Sequence, residues 1–226
     1  MTATSRRVSL TNILVAINVI AYVWELATGG TEGPGVARFI LFGPAVAQGE
    51  WWRIVTGAFL HGSIPHIALN MFALFQVGNI VEQLFGRTRF ALLYAVCIVG
   101  SGLAVLEYNY NVPTLGASGA IFGLFGALVA VGLRLGKRGR GLIGQVLPVI
   151  VINLAFTYAI PGISAAAHVG GLITGLVAGL VLFMVPSRQR EAAYAYAFAP
   201  AENATAVQTI EQPPEEGQPV HRQPHP

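Results

Sequence analysis

Six apolar stretches run along the chain, at about 11–28, 66–85, 90–107, 116–133, 142–160 and 165–185. A helix needs about 20 mostly apolar residues to cross a bilayer. Backbone polar groups in lipid must pair within their own segment, so all six stretches read as helices. The predicted fold is all-α, a polytopic bundle of six transmembrane helices. Helix breakers fall between the stretches: Gly86 after the second, Pro113 before the fourth, "KRGRG" between the fourth and fifth, and Pro161-Gly162 between the fifth and sixth. Pro148 lies inside the fifth and is expected to kink or loosen it, because its ring removes a donor and crowds the preceding turn. The connection from 29 to 65 is too long for a simple link. With "EWWRIVTGAFLHGS" it is amphipathic and suits a segment folded at the membrane interface. After Pro186 the sequence turns to Ala, Gln, Glu and Pro, and residues 186–226 are expected to be a disordered tail. This divides the chain into a short N-terminus (1–10), a helical domain (11–185) and the tail.

Composition supports the membrane assignment. Of the 226 residues, 54% are hydrophobic and 10% charged, where a soluble domain carries roughly 25% charged residues. A mean hydropathy of +0.62 over the whole length is more than one anchor on a soluble body would give. The net charge of +3 and pI near 9.3 would point to nucleic acid in a soluble protein. Here the basic residues sit in short loops between apolar segments, so they read as orientation signals, and nucleic acid is not expected as a partner. Arg6, Arg7, Arg87, Arg89, Arg134, Lys137, Arg138, Arg140, Arg188 and Arg190 fall on one side of a six-span arrangement, and only Arg38 and Arg53 on the other. Both termini are therefore expected in the cytoplasm of a cell-membrane protein, with the second, fourth and sixth spans starting at the outer face. That topology places "NAT" at Asn203 inside the cell and discounts it as a glycosylation site. The single cysteine, Cys97, leaves no internal disulfide and no thiolate cage, and neither a metal nor a cofactor is expected.

Polar groups inside spans are costly and point to function. His66 and Asn70 on the second span, Ser118 on the fourth and His168 on the sixth all lie in the first turns of helices that begin outside, hence at a similar depth. His66 and Asn70 are four residues apart and project from one helix face. Gly171, Gly175 and Gly179 follow His168 on its own face, and the fourth span carries Gly119, Gly123 and Gly126. Small residues at this spacing let membrane helices approach closely, so Ser118 and His168 can meet. A lone membrane serine ordinarily bonds a carbonyl one turn back, and a lone buried histidine is ordinarily structural. Together, though, the serine, imidazole, amide and second imidazole match the nucleophile, base and oxyanion donors of acyl transfer.

The inventory removes competitors. The sequence contains no aspartate, so a Ser-His-Asp triad and an intramembrane aspartate pair are impossible, and no HExxH zinc motif occurs. Glu82 reads as structural or interfacial beside Arg87 and Arg89. Glu107, at the outer end of the third span, could reach His168 as a third member but reads as solvated, which leaves a dyad. His61 reads as structural, bonding within the first loop. A transporter would carry polar groups through the full thickness rather than on one side.

These residues resemble the motifs of the rhomboid intramembrane serine proteases. "GASG" around Ser118, from Gly116 to Gly119, is similar to the family's nucleophile motif. "AHVGGLITG" resembles its sixth-helix motif with His168, Gly171 and Gly175. "HIALN" matches a second-helix motif with His66 and Asn70, and "WWR" matches the Trp-Arg pair of the first loop, here Trp52 and Arg53. The resemblance spans about residues 11–185. It implies that Ser118 attacks a scissile carbonyl and His168 moves the proton, while the oxyanion is held by the side chains of His66 and Asn70 and the Ser118 N–H. It also implies that Phe122, one turn after the serine, packs on the histidine ring. Substrates would be transmembrane segments of other membrane proteins, favoured where small residues and helix breakers ease unwinding, and cleaved near the outer face at a site that water reaches through an open cavity. Entry would lie between the second and fifth helices. Trp52 and Arg53 read as interface anchors, and the basic loop after the fourth span could in addition touch anionic lipid. The contrasting reading is a non-catalytic relative that binds transmembrane helices; such proteins typically lack the serine or the histidine, and this chain has both.

Overall fold

A computed structural model describes residues 8–183. The expectations for the tail, for Asn203 and for Arg6, Arg7, Arg188 and Arg190 lie outside the described residues. Within them the chain is helical: α1 (Leu10–Ala27), α2 (Pro34–Phe39), α3 (Gly43–Ala47), α4 (Arg53–Thr56), α5 (Ile64–Phe85), α6 (Arg87–Tyr108), α7 (Ser118–Arg134), α8 (Arg140–Ala159) and α9 (Ala165–Leu182), with single 3-10 turns at Gly30–Glu32, Gly57–Phe59 and Gly136–Gly139. The chain is a multi-pass helical membrane protein. α1, α5, α6, α8 and α9 are each long and apolar enough to cross a bilayer. The remaining apolar helix, α7, has 17 residues. That gives it a length of about 26 Å against a hydrocarbon core of about 30 Å, and it is the shortest of the six, one residue below α1 and α9.

α7 occupies the middle of the bundle, packing on α5, α6, α8 and α9, and most of its residues are buried. Its most extensive partner is α9. The reason is steric. A Cβ on Gly171 would strike the Gly119 carbonyl, one on Gly175 the Gly123 carbonyl, and one on Gly126 the Leu172 carbonyl. Backbone therefore lies directly on backbone, which only glycine permits, and the dispersion contacts so gained substitute for a hydrophobic drive that is missing in lipid. Ile20, Leu69, Phe72, Val151, Ile152 and Val181 point outward, as lipid-facing side chains should.

Glu82 has a more specific partner than the basic loop beside it. Its carboxylate accepts from the Leu10 and Thr11 N–H groups and from the Thr11 hydroxyl, each at 2.8 Å. It thus satisfies orphan donors at the start of α1 and sits at the positive end of that helix. Ser9 supplies the second cap, through its hydroxyl to Asn12 N–H. α8 continues through Pro148, whose ring is exposed, and a Cβ on Gly144, one turn earlier, would meet nothing. The crowding that proline imposes thus falls on an open face.

The long connection between α1 and α5 is a folded brace. Arg53 is buried and donates to the carbonyls of Ala37 at 2.8 Å and Ile40 at 2.9 Å while pairing with Glu50. This corrects its reading as an interface anchor: its guanidinium is consumed in stapling α2 to α4. Trp52 is half-buried beside Trp24 and Phe39, and Trp51 is the exposed aromatic. The brace grips the segment leading into α7. Leu41 and Thr114 exchange backbone hydrogen bonds at 3.1 and 2.8 Å, Gly43 N–H donates to Tyr110, and Gly116 N–H donates to Gly57 at 2.9 Å.

Gly175→Val should therefore lower stability by about 3 kcal/mol or more through overpacking against the Gly123 carbonyl, whereas Gly144→Ala should leave it unchanged or slightly higher. Thermal unfolding of the two purified variants in detergent checks the contrast.

Candidate active site

Four helix ends converge under the brace. Ser118 is the first residue of α7, and His168 lies in the first turn of α9. The Ser118 Oγ is 2.8 Å from His168 Nε2. His168 is buried and Ser118 half-buried, so the serine is the more accessible member of the pair. Phe122 stacks on the His168 ring with centroids 4.2 Å apart and planes 16° from parallel. The glycine ridges set this geometry, since Gly119 and Gly171 bring the two backbones together one residue after the serine and three after the histidine.

His66 and Asn70 lie in the first turns of α5, which packs on α7 and is capped by the Ser63 hydroxyl on the His66 N–H. The Asn70 amide donates to the His66 carbonyl at 3.0 Å, which leaves its second N–H unassigned. The Nδ1 of His66 accepts from the Gly62 N–H at 3.4 Å. The ring proton is therefore on Nε2, and that nitrogen lies where a Cβ on Gly116 would come within 2.9 Å. Gly116 has φ +122°, so both its backbone conformation and the imidazole beside it demand glycine. The start of α7 adds its free N–H groups and positive dipole end at the serine.

Two polar residues escaped the sequence reading. Thr157, in the last turn of α8, is buried, and its Oγ1 is 2.7 Å from His168 Nδ1. The histidine's second nitrogen thus faces a hydroxyl, and Glu107 is exposed. A signal for it existed: the fifth span runs opposite to the fourth and sixth, so its last turn lies level with their first. The other is Glu25 in α1, which is buried and whose two carboxylate oxygens accept from the His61 N–H at 3.0 and 3.1 Å. The backbone of His61 is thus tied to α1, outside its own loop. Its ring is fully buried, has no hydrogen bond of good geometry, and packs edge-on to His66 with centroids 5.1 Å apart. An apolar groove of about 500 Å³, lined by Leu92, Val96, Ile173 and Val177, lies on the lipid side of α6 and α9, away from Ser118. Among the described residues, no cluster of three or more His, Cys, Asp or Glu side chains could hold a metal ion.

A helical bundle in which a half-buried serine and a buried histidine meet at the first turns of two glycine-packed helices defines a class of membrane protein, and sequence comparison agrees. The Rhomboid domain model matches residues 48–185, and the chain belongs to the rhomboid family. Rhomboid protease GluP of Bacillus subtilis (strain 168) is 36% identical over 179 residues, covering 77% of this chain and 35% of that protein. RHOMBOID-like protein 6, mitochondrial, of Arabidopsis thaliana is 36% identical over 145 residues, 62% of this chain and 47% of its own length. Rhomboid protease AarA of Providencia stuartii is 25% identical over 215 residues, covering 82% and 76% of the two chains. The chain spans less than half the length of the first two relatives.

Burial, reinforced by His66, holds the pKa of His61 down at about 4, against about 6.5 in the unfolded chain. Between those values the unfolded state binds a proton that the folded state refuses. Stability is therefore full above pH 6.5 and falls by roughly 3 kcal/mol as the pH drops toward 4. His61→Phe should flatten the pH dependence of Tm over that window; an unchanged slope would assign the acid sensitivity elsewhere.

Proposed function

We propose that this protein is an intramembrane serine endopeptidase that cleaves transmembrane segments of other membrane proteins near the outer face. Ser118 is the nucleophile and His168 the general base, without a metal or cofactor. The observation that carries the reading is the 2.8 Å contact between Ser118 Oγ and His168 Nε2, made at a helix start by a serine that is only half-buried. In the first step Oγ attacks the scissile carbonyl as its proton passes to Nε2. The imidazolium then returns that proton to the departing amine, leaving an acyl-enzyme that water hydrolyses by the same route. Charge on the tetrahedral oxygen is met by the free N–H of Asn70, by His66 Nε2–H and by the Ser118 backbone N–H. Phe122 keeps the imidazole in plane with the hydroxyl. Gly116, Gly119, Gly171 and Gly175 support these positions, and Trp52 and Arg53 act through the brace.

Residues 11–185 form the functional unit in this reading. It sits in the cell membrane with both termini in the cytoplasm. Support comes from Arg87, Arg89, Arg134, Lys137, Arg138 and Arg140, which all lie in or between the end turns of α6, α7 and α8 remote from Ser118. Substrate enters between α5 and α8. These two helices have at most marginal contact with each other, and both carry exposed apolar side chains such as Leu69, Phe72 and Phe156.

Purified protein in liposomes should cleave a transmembrane substrate with a helix-destabilised segment, and Ser118→Ala and His168→Ala should each reduce cleavage to background. Asn70→Ala should lower kcat by about a hundredfold, the usual cost of one oxyanion donor. Equal cleavage by wild type and the first two variants would reject the assignment. A disulfide engineered between α5 and α8 should block entry of the transmembrane substrate and release it on reduction; full cleavage in the oxidised state would refute that route.

A further inference from the structure

The hydroxyl of Thr157 is shared between two partners. Besides His168 Nδ1 at 2.7 Å, its oxygen lies 2.7 Å from the carbonyl of Asn153, four residues back on α8. A hydroxyl has one proton. The carbonyl can only accept, so two oxygens at that separation need the proton between them. The lone pairs of Oγ1 are then what faces the histidine. The bond therefore runs from Nδ1–H to the threonine, and in the neutral ring this leaves Nε2 unprotonated toward Ser118. The result is a chain of one polarity: the serine hydroxyl donates to Nε2, Nδ1–H donates to the threonine, and the threonine hydroxyl donates to Asn153. With the opposite tautomer, Nε2–H would face the serine and could not take its proton.

We propose that Thr157 is a positioning residue that holds His168 in the tautomer able to act as a base, so that the seating of α8 is a condition of the serine's reactivity. The inference rests on the assignment of Ser118 and His168 above. Its reach beyond the pair comes from where Thr157 stands. α8 packs mainly on α7 and only lightly on α9, so the histidine's orientation is fixed by a helix other than its own. When α8 is seated the base is aligned; when its last turn is withdrawn, Nδ1 loses its acceptor.

The test uses the full chain in liposomes, with a transmembrane substrate and a small fluorophosphonate that reacts with an activated serine without requiring a helix to enter. Thr157→Val keeps the shape and removes the acceptor. It should lower both kcat and the labelling rate by about tenfold, the loss of one buried hydrogen bond, with KM unchanged, and Thr157→Ser should restore both. Ring-nitrogen NMR of histidine-labelled wild type should find the neutral His168 ring protonated at Nδ1. Wild-type labelling and cleavage by Thr157→Val would overturn the inference, and so would an Nε2-protonated ring in the wild type, which needs no variant to fold. Ser118→Ala separates the two claims: if it still cleaves, the dyad itself is wrong; if it is inert while Thr157→Val is unimpaired, only the role of Thr157 fails.

Discussion

The contact of bare backbone on bare backbone between α7 and α9 is the constraint from which the rest follows. Without side chains between them, the helices hold Ser118 Oγ and His168 Nε2 at hydrogen-bond distance with no adjustable linker. Everything else at the site is added around a separation already fixed: Phe122 limits rotation of the ring, and α5 presents His66 and Asn70 from one side. Lipid offers no hydrophobic penalty for parting two helices, so close packing has to supply the cohesion, and glycine is the residue that allows it.

Polar chemistry secures what packing leaves free. The connection between α1 and α5 is irregular in sequence but ordered by its own donors. The Arg53 guanidinium binds carbonyls of α2 and its C-cap, Thr56 donates to Phe39 at 2.7 Å, and the bridge between Leu41 and Thr114 clamps the approach to α7. Two buried or half-buried carboxylates serve α1 at opposite ends: Glu82 caps its start, and Glu25 near its end receives the backbone of His61. In both cases an acidic side chain inside an apolar segment is stabilised by N–H groups rather than by a cation.

Much of this was legible in the sequence because membrane helices advertise themselves. Length and apolarity place the six segments to within a few residues, and the four-residue spacing of glycines identifies α7 and α9 as partners. The common depth of His66, Asn70, Ser118 and His168 is a consequence of helix direction and needs no coordinates. What stayed hidden was the use of polar groups whose partners lie far along the chain. Nothing near Arg53 says that it will face the carbonyls of Ala37 and Ile40 rather than the headgroups. A threonine in an apolar run is indistinguishable from one that merely back-bonds to its own helix, and Thr157 does both. The separations that hide them, 36 residues for Glu25 with His61 and 11 for Thr157 with His168, are closed only by tertiary packing.

The shortness of α7 has a consequence for the surrounding lipid. A 17-residue segment facing acyl chains would suffer hydrophobic mismatch and would tilt or thin the bilayer around it. α7 is walled in by α5, α6, α8 and α9, so its ends are matched to protein and not to lipid. The outer helices are the ones that meet acyl chains, while the place of the serine in the bundle is set by helix packing. Ser118 thus keeps its place beside His168 through protein contacts into which the thickness of the bilayer does not enter.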